Sequence, residues 1–204
     1  MLRVRAAFLI LALAYLPAIS VQAASEPSQV LGASRVWASL PAPFLDALSA
    51  RLVSGQNAVD FLRIADRSGI AAQLQSYDLK NPLHGITEMA IGLSGYGYRL
   101  AKAGDLSGAR KTWALTLMLV PRHVSTWVGM AILSVNEQDC RSAVSWADKV
   151  LTFKPDESSA DPNEIILARL MHGEGDVETG TVGNTKAMLD QMREIKDICK
   201  DAYR

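Results

Sequence analysis

Apolar residues recur at helical spacing along most of this chain from residue 43 onward. Two early segments, 43–55 and 57–69, carry them at Leu45, Leu48 and Leu52, then at Val59, Leu62 and Ala65. Spacings of three and four residues place such side chains on one face of an α-helix. A longer helix is predicted from about residue 86 to 103, and no segment alternates with period two as a strand would. The pattern therefore predicts an all-α protein.

Residues 1–23 have the pattern of a secretory signal peptide. Arg3 and Arg5 precede an apolar run, and small residues follow it, which places cleavage between Ala23 and Ala24. A short positive region, an apolar core and small residues at the cut site are typical of such signals. We therefore expect a periplasmic or secreted protein of the bacterial envelope.

The alternative is an uncleaved membrane anchor. The apolar run of residues 6–24 approaches the roughly 20 residues that span a bilayer. Pro17 and the small, polar residues after it favour cleavage, so no stable membrane span is expected after processing. Residues 24–42 lack periodicity and are predicted to form a flexible leader, with Trp37 the one residue held in place.

Two segments of the chain, 103–123 and 137–157, share one pattern with an offset of 34 residues. The matching pairs are Asp105 with Asp139, Ala109 with Ala143, Leu117 with Leu151, and Pro121 with Pro155. Aspartate caps the start of a helix, alanine permits close approach of two helices, and proline ends a helix. A fixed period of this size indicates stacked helical hairpins.

The helices that precede these segments match as well. Leu93, Tyr96, Gly97 and Leu100 correspond to Trp127, Met130, Ala131 and Ser134. Together these residues resemble the tetratricopeptide repeat (TPR) pattern over residues 90–155. Leu93, Ser134 and Ala147 depart from it, since the family commonly has larger aromatic residues there.

The resemblance implies a TPR-like α-solenoid of antiparallel helical hairpins over residues 43–204. Its regular repeats would be at about 90–123 and 124–157, with an irregular third unit at 158–204. In that third unit a helix opening near Asn184 has an apolar stripe of Met188, Met192, Ile195 and Cys199.

The resemblance also implies a concave groove that binds a protein or peptide partner. Its lining positions, taken from the helical register, are Ile91, Ser94, Tyr98, Ser125, Val128, Ile132 and Val135. We expect Tyr98, Val128 and Ile132 to share one concavity. The alternative is that the N-terminal helices cover this stripe.

No catalytic motif emerges from the sequence. The three histidines share no ligand spacing, which argues against a metal centre, and no cofactor is expected. Glu174, Asp176 and Glu178 alternate in one loop but miss the spacing of an EF-hand. With 21 basic and 21 acidic residues, the chain has no basic patch for nucleic acid.

We therefore expect a non-enzymatic scaffold that assists an envelope complex, such as pilus, secretion or cell-wall machinery. The alternative is an accessory domain or small hydrolase with an unrecognised active site, which a pocket around His172 and Glu174 would favour.

The two cysteines, Cys140 and Cys199, raise opposing arguments. Export permits a disulfide. If their helices run parallel, however, the two residues lie at opposite ends, roughly 22 Å apart, whereas a disulfide requires Cα atoms within about 7 Å. We expect two unpaired cysteines, unless the last helix packs in reverse.

Overall fold

The structure is a computed structural model that describes residues 26–32, 35–156 and 181–200. These residues are all-α, and they contain no strand. In chain order the helices are α1 (Pro27–Gly32), α2 (Arg35–Ala38), α3 (Ala42–Arg51), α4 (Gly55–Ser68), α5 (Ile70–Gln73), α6 (Pro82–Lys102), α7 (Leu106–Leu119), α8 (Val124–Asn136), α9 (Cys140–Leu151) and α10 (Thr181–Ile198). A 3-10 turn, Leu74–Ser76, follows α5. The predicted signal peptide and the first part of the predicted third unit lie outside the described residues.

Two helix pairs reproduce the 34-residue offset in their geometry. The α6–α7 and α8–α9 pairs each pack along one another. Asp105 caps α7 by accepting a hydrogen bond from the Gly108 N–H at 2.8 Å, and Asp139 caps α9 through the Ser142 N–H at 3.0 Å. Both predicted caps are confirmed. Ala109 and Ala143, the next matching pair, are fully buried.

The turns before these caps match in their backbone. Asp105 N–H donates to the Leu100 carbonyl, and Asp139 N–H donates to the Ser134 carbonyl, each at 2.9 Å. The residue before each aspartate has a positive φ, which is 84° at Gly104 and 60° at Gln138. The same turn therefore forms twice, once with glycine and once with glutamine at the left-handed position.

The N-terminal helices form a core with one end of α6 and α7. Leu31 and Trp37 are fully buried, and the Trp37 ring meets Phe61 edge-on with centroids 5.5 Å apart. Trp37 is held in place as predicted, but it is not the one such residue, since Leu31 is buried in the same core. The described part of residues 24–42 includes the two short helices α1 and α2.

Helix boundaries in this half follow local capping. Gly69 ends α4 in a left-handed conformation. Ser54 caps the start of α4, because its hydroxyl accepts the Asn57 N–H at 3.2 Å. α6 begins before the predicted residue 86, since Asn81 caps it and Pro82 occupies its first turn, where a missing N–H is tolerated.

The last helix packs in the reverse direction to the one assumed from the sequence. Cys140, the first residue of α9, forms a disulfide with Cys199, just after α10, and their Cα atoms are 5.2 Å apart. The expectation of two unpaired cysteines is therefore wrong. It assumed parallel helices, whereas the carboxyl end of α10 lies beside the amino end of α9. The predicted apolar stripe of α10 is confirmed, since Met192, Ile195 and Cys199 are buried.

None of the helices in the described ranges combines the length and apolar character required to cross a membrane.

Candidate functional site

Trp113 of α7 lies at the centre of the junction between α6, α7 and α8. Its indole packs between two glycines of the flanking helices: a Cβ added at Gly97 would lie 2.6 Å from Trp113 Cδ1, and one at Gly129 would lie 2.6 Å from Cζ2. The indole N–H donates to the Ser94 carbonyl at 3.1 Å. The two glycines therefore permit both α6 and α8 to approach the same ring closely.

Tyr98 connects α6 directly to the start of α8. Its ring meets Trp113 edge-on with centroids 5.0 Å apart, and its hydroxyl donates to the Ser125 carbonyl at 2.6 Å. Burial raises the pKa of the Tyr98 hydroxyl above its usual value of 10.0. The phenol is therefore neutral near pH 7 and remains a hydrogen-bond donor.

A buried polar chain lies next to this contact. The hydroxyl of Thr126 is 2.9 Å from Nδ1 of His123 and donates to the Ser94 hydroxyl at 3.1 Å. The Thr126 N–H also approaches His123 Nδ1 at 3.3 Å, so the imidazole caps α8. All three residues are at most 5% exposed, which favours a structural role over nucleophilic chemistry.

The predicted groove positions differ widely in exposure. Ile91 is 48% exposed and Ser125 is exposed, whereas Ser94 and Val128 are buried. Tyr98, Ile132 and Val135 are half-buried. The structure joins Tyr98 to Ser125, so the two helices of the predicted groove meet at that point.

The two halves of the predicted groove have different neighbours. On α6, the N-terminal core contacts Ile86, Met89, Ala90 and Leu93. None of the seven predicted positions belongs to that core within the described residues. On α8, Val128 belongs to one buried cluster with Met192 and Ile195 of α10, and Ile132 and Val135 pack against that cluster. The C-terminal helix therefore contributes to the cluster that buries this half of the predicted groove.

Charged side chains near the junction pair locally. Arg110 of α7 forms an ion pair with Glu137, which follows α8, and Asp60 of α4 accepts hydrogen bonds from both Lys111 and Arg63. No group of three or more potential metal ligands occurs in the described part of the chain. His172 and Glu174, and the acidic loop around them, lie outside that part.

Comparison with known proteins gives no assignment. No family model matches the chain, and neither a curated protein nor a solved structure matches it.

Sequence reasoning did not identify Gly129, Thr126 or the cap at His123 as parts of the junction. A glycine inside an apolar helical segment was the available signal for Gly129, because it marks a close approach of another element. His123 precedes Thr126 by three residues, which is the usual spacing between a capping residue and the N–H from which its side chain accepts a hydrogen bond. Histidine is not among the preferred capping residues, however, so this spacing alone did not indicate a cap.

Proposed function

We propose that the protein is an exported, non-enzymatic scaffold that binds a protein or peptide partner through a TPR-like groove. The repeated turn before α7 and α9 carries this proposal. Two helix pairs with the same cap, the same turn hydrogen bonds and a buried alanine at the same position support a TPR-like arrangement, in which one helical hairpin recurs along the chain. The irregular third unit would then include α10.

The binding surface proposed here is the exposed part of the predicted groove, around Ile91, Tyr98 and Ser125. Ile91 is a large apolar side chain that is 48% exposed on α6. Tyr98, seven residues further along α6, is half-buried, and aromatic residues are enriched at protein interfaces. An apolar segment of a partner protein is the ligand that this surface favours.

The proposed cellular role is assistance to an envelope complex, such as pilus, secretion or cell-wall machinery. It rests on the signal-peptide pattern of residues 1–23 and on the usual role of such repeats as assembly surfaces. Intact-mass measurement of the secreted or periplasmic protein tests the first step. We expect a mature chain that begins at Ala24, and a full-length chain retained in the membrane would contradict export with cleavage.

Site-specific photocrosslinking tests the binding surface. A photoreactive phenylalanine analogue at position 91 should form adducts with a partner in the native envelope. The matched control is position 59 on α4, because Val59 is 49% exposed and also apolar. Adducts from position 91 but not from 59, lost when Tyr98 is also changed to Ala, would support the proposal. Equal adducts from both positions, or none from 91, would reject this surface.

A further inference from the structure

Helix α10 is attached to the rest of the molecule by three kinds of contact. The first is its apolar stripe, in which Met192, Ile195 and Cys199 are at most 5% exposed. The second is an ion pair between Lys196 and Asp148, at 2.5 Å, whose side chains are 43% and 46% exposed. The third is the disulfide from Cys199 to Cys140. Ion pairs this exposed contribute little, so the apolar contact and the disulfide hold the helix.

The buried cluster that α10 joins is apolar, and its other members are residues of α8 and α9 together with Phe153. It includes Val128, Ala143, Ala147 and Val150, all buried in the same cluster as the α10 stripe. Removal of α10 would expose the part of this cluster that the α10 stripe covers. A continuous apolar area of this kind, once exposed, binds other apolar surfaces.

The disulfide links residues that are 59 positions apart in sequence. A disulfide that joins the ends of a long loop lowers the conformational entropy of the state in which α10 is detached from α8 and α9. This constraint disappears when the bond is reduced. A single amphipathic helix is also only marginally stable in water without tertiary contacts. The disulfide lies at the carboxyl end of α10. The packing of α10 against α8 and α9 therefore depends on the bond.

We propose that the Cys140–Cys199 disulfide is a redox switch for α10, whose reduction by a dithiol releases the helix and opens the apolar face of α8 and α9. Cys140 is the partly exposed member of the pair, and Cys199 is fully buried. Because Cys140 is the more exposed residue of the two, we assign the attack to its Sγ. This inference stands apart from the proposed partner-binding role of Ile91.

The reaction is an ordinary thiol–disulfide exchange. A thiolate of the dithiol attacks Cys140 Sγ, a mixed disulfide forms, and Cys199 leaves as a thiolate that takes a proton. The second thiol of the reductant then attacks its own sulfur in the mixed disulfide and releases Cys140, which is also protonated. Two electrons pass to the protein, the dithiol becomes a disulfide, and its two protons end on the two cysteines.

Hydrogen exchange on the full-length mature protein tests the switch. Peptides covering residues 181–200 should exchange roughly 100-fold faster in dithiothreitol than in the oxidised protein, because the open state is no longer constrained. Peptides from α6 and α7 should be unchanged. Equal protection of α10 in both states would overturn the proposal. Faster exchange throughout the chain would also overturn it, because the bond would then stabilise the whole fold rather than α10.

A double variant, Cys140→Ser with Cys199→Ser, provides the matched control. Its α10 peptides should exchange as fast without reductant as those of the reduced wild type, and dithiothreitol should have no further effect. The dye 8-anilinonaphthalene-1-sulfonate reports the opened face: its fluorescence should rise when the wild type is reduced and fall on reoxidation. Faster exchange without any rise in dye binding would overturn the claim that an apolar face opens.

Discussion

The indole of Trp113 lies so close to Gly97 that a β-carbon at residue 97 would stand 2.6 Å from Trp113 Cδ1. Trp113 is 2% exposed, and a β-carbon at Gly129 of α8 would stand 2.6 Å from its Cζ2. Because the helix backbone is rigid and the ring is buried, neither can easily move to accommodate an added methyl group. The distance between the helices at this junction therefore depends on the absence of a β-carbon at Gly97 and Gly129.

We predict that Gly97→Ala and Gly129→Ala each destabilise the protein by about 1–3 kcal/mol, because the added methyl group overpacks a buried ring. The measurement is the urea midpoint, followed by tryptophan fluorescence. Gly95→Ala is the control on the same helix, since its Cβ would meet only Arg99 Nη1, at 3.9 Å. That change should stabilise by about 0.5–1 kcal/mol through helix propensity. A loss at Gly95 equal to that at Gly97 would refute the packing argument.

The repeated turn supplies a reciprocal pair of predictions. Gly104→Ala should cost about 1 kcal/mol, because φ is 84° there and L-residues disfavour that region. Gln138→Gly should instead stabilise by up to about 1 kcal/mol, since it relieves the same strain at φ 60°. Thermal or urea unfolding of both variants gives the sign of each change in the free energy of unfolding. The same sign for both changes would mean that the turns differ in energy despite their shared hydrogen bonds.

Local features of the fold could be predicted from the sequence where one residue type has one physical role. Asp105 and Asp139 precede helices and cap them, and the spacing of Met192, Ile195 and Cys199 gives the buried face of α10. The direction of α10 could not be predicted. It depends on the path of the chain after Leu151, which no local period determines, and the disulfide depends on that direction.

The local sequence pattern also could not predict which residues of the predicted groove are exposed. Ile91 and Val128 are both apolar residues on first helices of their pairs, yet one is 48% exposed and the other 7%. Val128 belongs to a buried cluster that includes Met192 and Ile195 of α10, which is remote in sequence from both residues, and Ile91 belongs to none of the buried clusters in the described part of the chain. Helical register gives the face on which a residue lies, whereas exposure depends on what packs there.

The cap at Asp139 predicts a pH dependence. Hydrogen bonds from Ser142, aided by Arg110 and Arg141, lower the pKa of the Asp139 carboxyl from its ordinary 3.8. A carboxyl with a lowered folded-state pKa contributes stability above its unfolded pKa, and that contribution is lost as the pH falls through the folded value. Asp139→Asn keeps the cap but does not titrate.

We therefore expect the wild type to lose more stability than Asp139→Asn when the pH is lowered from 6 to about 2.5. Urea midpoints of both proteins at the two pH values give the comparison, and other carboxyls cancel in the difference. A parallel decline in the two proteins would mean that the ionised carboxylate adds nothing to the cap.

The same type of change should have different effects at a buried and at an exposed position of the predicted groove. Val128→Asp places a carboxylate in the cluster that contains Met192 and Ile195, so we expect a loss of roughly 3 kcal/mol or more. Ile91→Asp, at a residue that is 48% exposed, should cost about 1 kcal/mol or less. Urea unfolding gives both values, and hydrogen exchange of residues 181–200 identifies the affected element. Val128→Asp should increase exchange in α10, whereas Ile91→Asp should leave it unchanged. If Val128→Asp were as mild as Ile91→Asp, with α10 fully protected, then α10 would not cover Val128, and the second half of the groove would be open to a partner.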